Sequence, residues 1–190
     1  MRLFAALLPP EDVIRELAAE VDRLRALPGA DALRWTGRPG WHLTLAFYGE
    51  VDDVLVPDLD ARLERAASRT APFELALGGG GHFGRGRALW AGVDGDLRTL
   101  RLLADRSEAA ARKAGVPMGE HRRYRPHLTL ARSRTALDVR PHLDVLGGFR
   151  GRAWTVTELA LVHSSLPRPG VPGEQPRYEA VARHALGAAG

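Results

Sequence analysis

Six apolar or small residues, Leu3 to Leu8, run without interruption and stop at Pro9-Pro10, the pattern of a buried strand closed by a turn. The period then changes. Ile14, Leu17, Val21 and Leu24 fall on one stripe and Glu11, Glu16, Glu20 and Arg23 off it, which predicts an amphipathic helix ending near Pro28-Gly29. Leu33 to Trp35 is a candidate short strand, and Gly37-Arg38-Pro39-Gly40 a turn into a strand from Trp41 to Tyr48. A second helix is predicted from Val54 to Ser68, with Leu55, Leu59, Leu63 and Ala66 inward. Phe73-Glu74-Leu75-Ala76-Leu77 alternates as a strand. Ala88 to Val93 predicts another strand, Leu97 to Ala114 a third helix and Pro126 to Ala131 a further strand. A short helix from Leu137 to Leu146, a long strand from Ala153 to His163, a proline-containing loop from Ser164 to Gln175 and a last strand from Tyr178 to Ala182 complete the chain.

Strands and helices that alternate in this way predict an α+β fold over residues 1–190, a single bilobal domain of antiparallel sheets with helices on their outer faces. Gly78 to Gly81, continuing through His82-Phe83-Gly84-Arg85-Gly86-Arg87, is glycine-rich and basic. It reads either as a phosphate-cradling loop or as a flexible hairpin connection. The second reading is favoured, because a P-loop's lysine and helix start are missing.

The pattern also contains a repeat. His42-Leu43-Thr44-Leu45-Ala46 returns as His127-Leu128-Thr129-Leu130-Ala131, 85 residues later and at a comparable place in the second half. In an extended strand His42 and Thr44 share one face and Leu43 and Leu45 the other, and the second copy repeats this. Two such strands side by side would line a polar cleft between pseudo-symmetric lobes. A phosphodiester exchange needs one group to take a proton from the attacking oxygen and another to give one to the leaving oxygen. Imidazole can do either near neutrality. Threonine hydroxyls and an arginine fork suit the non-bridging oxygens.

Composition narrows the partners. The 190 residues are 45% hydrophobic and 26% charged, ordinary for a globular chain. A net charge of +4, largely from arginine, and a pI near 10.2 favour phosphate-bearing partners. The absence of cysteine excludes disulfides, thiolate metal sites and cysteine nucleophiles. No run approaches the ~18 apolar residues of a membrane span, and the apolar start lacks a small-residue cleavage site. These features predict a soluble, cytoplasmic protein.

Together, the opening Arg2 to Leu7, the Trp41 to Glu50 segment, Arg125 to Arg132 and the late Leu161 to Leu166 before Tyr178-Glu179 resemble the two-histidine (2H) phosphoesterases. Within that superfamily they are most similar to the RNA 2',3'-cyclic phosphodiesterases, also called 2'-5' RNA ligases. The resemblance implies hydrolysis of a terminal 2',3'-cyclic phosphate to a 2'-phosphate with no metal and no cofactor, and reverse ligation by the same chemistry. It implies His42 as proton donor to the leaving 3'-oxygen and His127 as the base that activates water. Thr44 and Thr129 carry over as phosphate ligands. Arg132 carries over as a phosphate-binding residue, although strict alternation places it opposite His127. Arg125 ranks second, with Pro126 interrupting the ladder between it and His127. The implied partner is RNA with a cyclic-phosphate end, tRNA fragments included, acted on by a monomer. The alternatives are a phosphodiesterase of small cyclic nucleotides and a non-catalytic module that holds RNA ends. Trp35, Trp41, Phe47, Tyr48 and Tyr124 are candidates for stacking on a base. His163 could border the cleft but reads better as a surface residue, and His82, His121, His142 and His184, in loops or polar helical settings, receive no role.

Overall fold

The computed structural model describes residues 1–187. Its strands are β1 (Arg2–Leu7), β2 (Arg34–Trp35), β3 (Leu43–Glu50), β4 (Phe73–Phe83), β5 (Ala88–Gly95), β6 (Leu128–Arg132), β7 (Trp154–Val156), β8 (Glu158–Ser165) and β9 (Arg177–Ala185). The α-helices are α1 (Glu11–Arg25), α2 (Val56–Ser68), α3 (Leu97–Lys113) and α4 (Arg140–Gly147). Two antiparallel sheets result, one ordered β3-β1-β8-β9 and the other β2-β6-β5-β4-β7. This is the expected α+β architecture.

The two sheets are not the two halves of the chain. β1 and β3 lie beside β8 from the late chain, whereas β4 from the early chain joins β5 and β6. Helices α2 and α3 pack on each other and on β9 and β3 of the first sheet, and α4 packs on β4 of the second. Leu3, Leu7 and Leu43 of one sheet and Leu75, Leu89 and Leu128 of the other belong to a single buried cluster with Leu17, Leu63 and Leu100 of the helices. Burying each such side chain is worth about 1.5–3 kcal/mol, so the core couples both sheets.

Local chemistry sets the helix ends. The Asp96 carboxylate accepts from the Thr99 N–H at 3.0 Å and from its hydroxyl at 2.7 Å, which caps α3. Helix α1 has Glu11 and Asp12 in its first turn and Arg23 and Arg25 in its last, each sign matched to the helix dipole.

Several expectations need correction. The strand predicted from Ala153 to His163 is two strands, β7 in one sheet and β8 in the other, because the chain changes sheets at Thr157. The helix predicted from Leu137 begins only at Arg140. The favoured hairpin connection holds only for Gly84 to Arg87, the turn between β4 and β5, whereas Gly78 to Gly81 belongs to β4 itself. The register slips between Leu77 and Gly80 against β5, and Gly79 takes a φ of 63°, a bulge that a residue with a Cβ would strain. His142 is not in a polar setting. It is 2% exposed in α4, packs near Trp35 with ring centroids 6.1 Å apart, and neither ring nitrogen has a partner.

Candidate active site

β3 and β6 each begin one residue after a histidine, so His42 and His127 stand at strand entrances and not within the ladders as predicted. Both rings are held alike. The Nδ1 of His42 lies 2.8 Å from the Gly40 carbonyl and that of His127 lies 2.6 Å from the Arg125 carbonyl, in each case two residues back. A carbonyl only accepts, so each ring keeps its proton on Nδ1 when neutral and presents an unprotonated Nε2. Aromatic packing fixes the ring planes. His42 packs on Phe4 with centroids 4.7 Å apart and meets Tyr178 edgewise at 5.5 Å; His127 meets Phe83 edgewise at 4.9 Å and Trp90 at 5.9 Å. Gly81 makes the second arrangement possible, because a Cβ there would sit 2.4 Å from the Trp90 indole.

The repeated pentapeptide includes a bulge in both copies. Against β1, Ala6 pairs with Thr44 and Ala5 with Ala46, so Leu45 has no opposite residue. Against β5, Trp90 pairs with Thr129 and Leu89 with Ala131, so Leu130 is skipped in the same way. Two consecutive residues therefore face the core, Leu45-Ala46 and Leu130-Ala131, all buried. The alternation shifts by one. The next residue, Phe47 in one copy and Arg132 in the other, is thereby returned to the threonine face. Arg132 reaches the cleft for this reason, and the obstacle raised by strict alternation disappears.

The cleft has a volume of about 240 Å³ and is lined by His42, Thr44, His127, Thr129 and Arg132 together. Of the predicted site residues only Arg125 is not part of that lining. Its guanidinium lies over the Phe83 ring, 4.8 Å from the centroid, and borders an adjoining groove. Among the candidate aromatics, Trp41 and Tyr48 are core, and the Tyr48 hydroxyl donates to the Ser107 carbonyl at 2.9 Å. Tyr124 is half-buried and its hydroxyl donates to the Thr44 carbonyl at 2.7 Å, which ties the approach to His127 to the other histidine strand. Phe47 is 51% exposed and lines the cleft. His163 pairs with Leu3 and Glu179 and does not line the cleft, whereas its neighbour Ser164 does.

Arg2 and Tyr178 line the cleft and were not found from the sequence. A period of two places Arg2 on the Phe4 side of β1, which was a usable signal. The Arg2 guanidinium lies 4.8 Å over the Phe47 ring. Tyr178 comes from the opposite edge strand, and no local pattern announces it.

Burial depresses both imidazoles. Desolvation takes the His42 pKa down to about 4, partly opposed by the Gly40 carbonyl and aided by the charges of His127 and Arg132. Desolvation also lowers His127, partly opposed by the Arg125 carbonyl and helped by Arg132 and Arg125. In the free protein both rings are therefore neutral at pH 7. Among the described residues no group of three or more His, Asp or Glu is arranged to hold a metal ion.

The family model of the 2'-5' RNA ligase superfamily matches residues 10–167, which contain both histidine segments. The chain belongs to the 2'-5' RNA ligase superfamily. Within the superfamily it is 34% identical over 178 residues to an RNA 2',3'-cyclic phosphodiesterase of Thermus thermophilus, covering 90% of this chain and 85% of the relative. It shares 33% identity over 161 residues with the RNA 2',3'-cyclic phosphodiesterase of Escherichia coli, covering 79% and 80%. The crystal structure of E. coli LigT complexed with 3'-AMP superposes with a TM-score of 0.75 at 28% identity, covering 97% of this chain and 96% of the other.

Proposed function

We propose that this superfamily member is a metal-independent RNA 2',3'-cyclic phosphodiesterase that hydrolyses a terminal 2',3'-cyclic phosphate to a 2'-phosphate and acts in the cytoplasm as a monomer. One observation carries the reading: two imidazoles share a cleft, each with Nδ1–H held by a carbonyl and Nε2 free, and each is followed by a threonine on the same face. His127 takes a proton from the attacking water through Nε2 as the new P–O bond forms. His42 protonates the 3'-oxygen as the P–O3' bond breaks. Thr44, Thr129 and Arg132 hold the non-bridging oxygens, and Arg132 is placed to balance the charge that grows on them. The same sequence with a 5'-hydroxyl in place of water, its proton taken by His127 and the 3'-oxygen again protonated by His42, makes a 2'-5' bond.

The depressed His42 pKa gives the substrate a part in the protonation. A cyclic phosphate brings a negative charge beside the ring, which favours imidazolium. The acid is thus formed in the complex. That two relatives are named RNA 2',3'-cyclic phosphodiesterases supports the reading. The test is an RNA oligonucleotide ending in a 2',3'-cyclic phosphate, incubated with the protein and EDTA, with the product end identified by mass. Conversion to a 2'-phosphate is expected, and loss of at least about 100-fold in His42→Ala and His127→Ala. Full activity in either variant would sink the two-histidine mechanism.

A further inference from the structure

Beside the cleft lies a second groove, about 300 Å³, lined by Trp90, Arg101, Arg123, Tyr124, Arg125 and Pro126. Its arginines come from α3 and from the segment that leads into His127. Seven other arginines, for example Arg62 with Asp58 and Arg140 with Asp138, pair with carboxylates. None of the three groove arginines does so among the described residues. They present three uncompensated forks on one surface, and a guanidinium fork matches a phosphate's paired oxygens.

The groove continues from the cleft. Trp90 stands against His127 and also forms a wall of the groove. Phe83 touches His127 by its edge, and the Arg125 guanidinium lies over the same ring. An aromatic ridge of Phe83 and Trp90 thus leads from the catalytic imidazole to the three arginines. A substrate whose 3'-terminal phosphate sits between the imidazoles has one way to continue, toward its 5' end. We propose that this groove binds the backbone phosphates of the RNA 5' to the terminal nucleotide, so that the protein favours a polymer end over a cyclic mononucleotide. The proposal rests on the phosphodiesterase reading and specifies its substrate as a single-stranded RNA chain.

The test compares two substrates, a 2',3'-cyclic mononucleotide and a ten-nucleotide RNA with the same terminal cyclic phosphate, in the wild type and in Arg101→Gln/Arg123→Gln. Both replaced residues are exposed and lie outside the cleft. The wild type is expected to prefer the oligonucleotide in kcat/KM. The double variant is expected to lose that preference by roughly tenfold through KM, with mononucleotide turnover within about twofold of wild type. The log–log salt dependence on the oligonucleotide should weaken by about 1.4, the value for two contacts to a single strand. Arg101→Lys/Arg123→Lys should restore the salt dependence and part of the preference, since the charge is kept and the fork is lost. Equal turnover of both substrates by the wild type, or an unchanged preference in the glutamine variant, would overturn the groove while leaving the phosphodiesterase reading intact. A wild type inert on both substrates would overturn the two together.

Discussion

In the free protein His42 is neutral at pH 7, and this has a measurable price in stability on acidification. Its pKa is about 4 in the fold, against about 6.5 for an exposed histidine. A group whose folded pKa lies below its unfolded value takes up protons first in the unfolded chain. Its stabilising contribution is therefore complete above about pH 6.5 and is lost as the pH falls toward 4. Linkage makes the loss about 2 kcal/mol between pH 7 and pH 5, and about 3 kcal/mol in the limit below pH 4. Lowered pKa values at His127 and His142 act in the same direction, so the wild type loses more than this in total. His42→Asn isolates the one group, because its amide N–H can replace the Nδ1–H that donates to the Gly40 carbonyl and does not titrate. Urea unfolding at pH 7 and pH 5 gives the pH-dependent loss for each protein. The variant is expected to lose about 2 kcal/mol less than the wild type over that interval. A difference below about 0.5 kcal/mol would refute the desolvation argument, since one pKa unit is already about 1.4 kcal/mol.

Two further substitutions test how the rings are held. Tyr124→Phe keeps the ring and removes the hydroxyl that donates to the Thr44 carbonyl at 2.7 Å; thermal or urea unfolding should show a loss of about 1–2 kcal/mol, and kcat/KM should fall several-fold with the pH profile unchanged. Gly81→Ala places a Cβ 2.4 Å from the Trp90 indole and should cost about 1–3 kcal/mol in urea unfolding, while Gly119→Ala, with no atom within 4 Å of the new Cβ, should be near neutral.

The elements of this fold were legible wherever the hydrophobic period was unbroken, and illegible where tertiary contacts set the local rule. Helices α1 and α3 were found within a few residues because their stripes face one core and their ends carry proline, glycine or a capping aspartate. The run Gly78 to Gly81 failed for the opposite reason. Glycine there is not a sign of mobility: Gly80 and Gly81 leave room for Leu146 and Trp90, and Gly92 for the Gly78 carbonyl. A strand in which side chains from neighbouring elements occupy the space above glycine reads from its own sequence as a loop. The segment from Ala153 to His163 failed differently, since a continuous β pattern does not say that its two ends pair in different sheets.

The site shows the same division at finer scale. The residue identities needed for acid–base chemistry, His42, Thr44, His127 and Thr129, are all in the repeated pentapeptide. Strict alternation already puts each histidine and threonine on one face; what it misplaces is the residue that follows the pentapeptide. Leu45-Ala46 and Leu130-Ala131 are each a pair of buried small or branched residues that a period-two reading treats as one inward and one outward position. Once each pair is recognised as a bulge, Arg132 falls on the same face as Thr129. The equivalent position in the other copy is Phe47, whose ring carries the Arg2 guanidinium. A cation therefore stands beside the cleft next to each bulge, Arg132 from β6 itself and Arg2 from β1 over the Phe47 ring. The likeness of the two strands extends past the histidines to the bulge, and they differ in the residue that follows it, an arginine in one and in the other an aromatic ring that carries an arginine of β1.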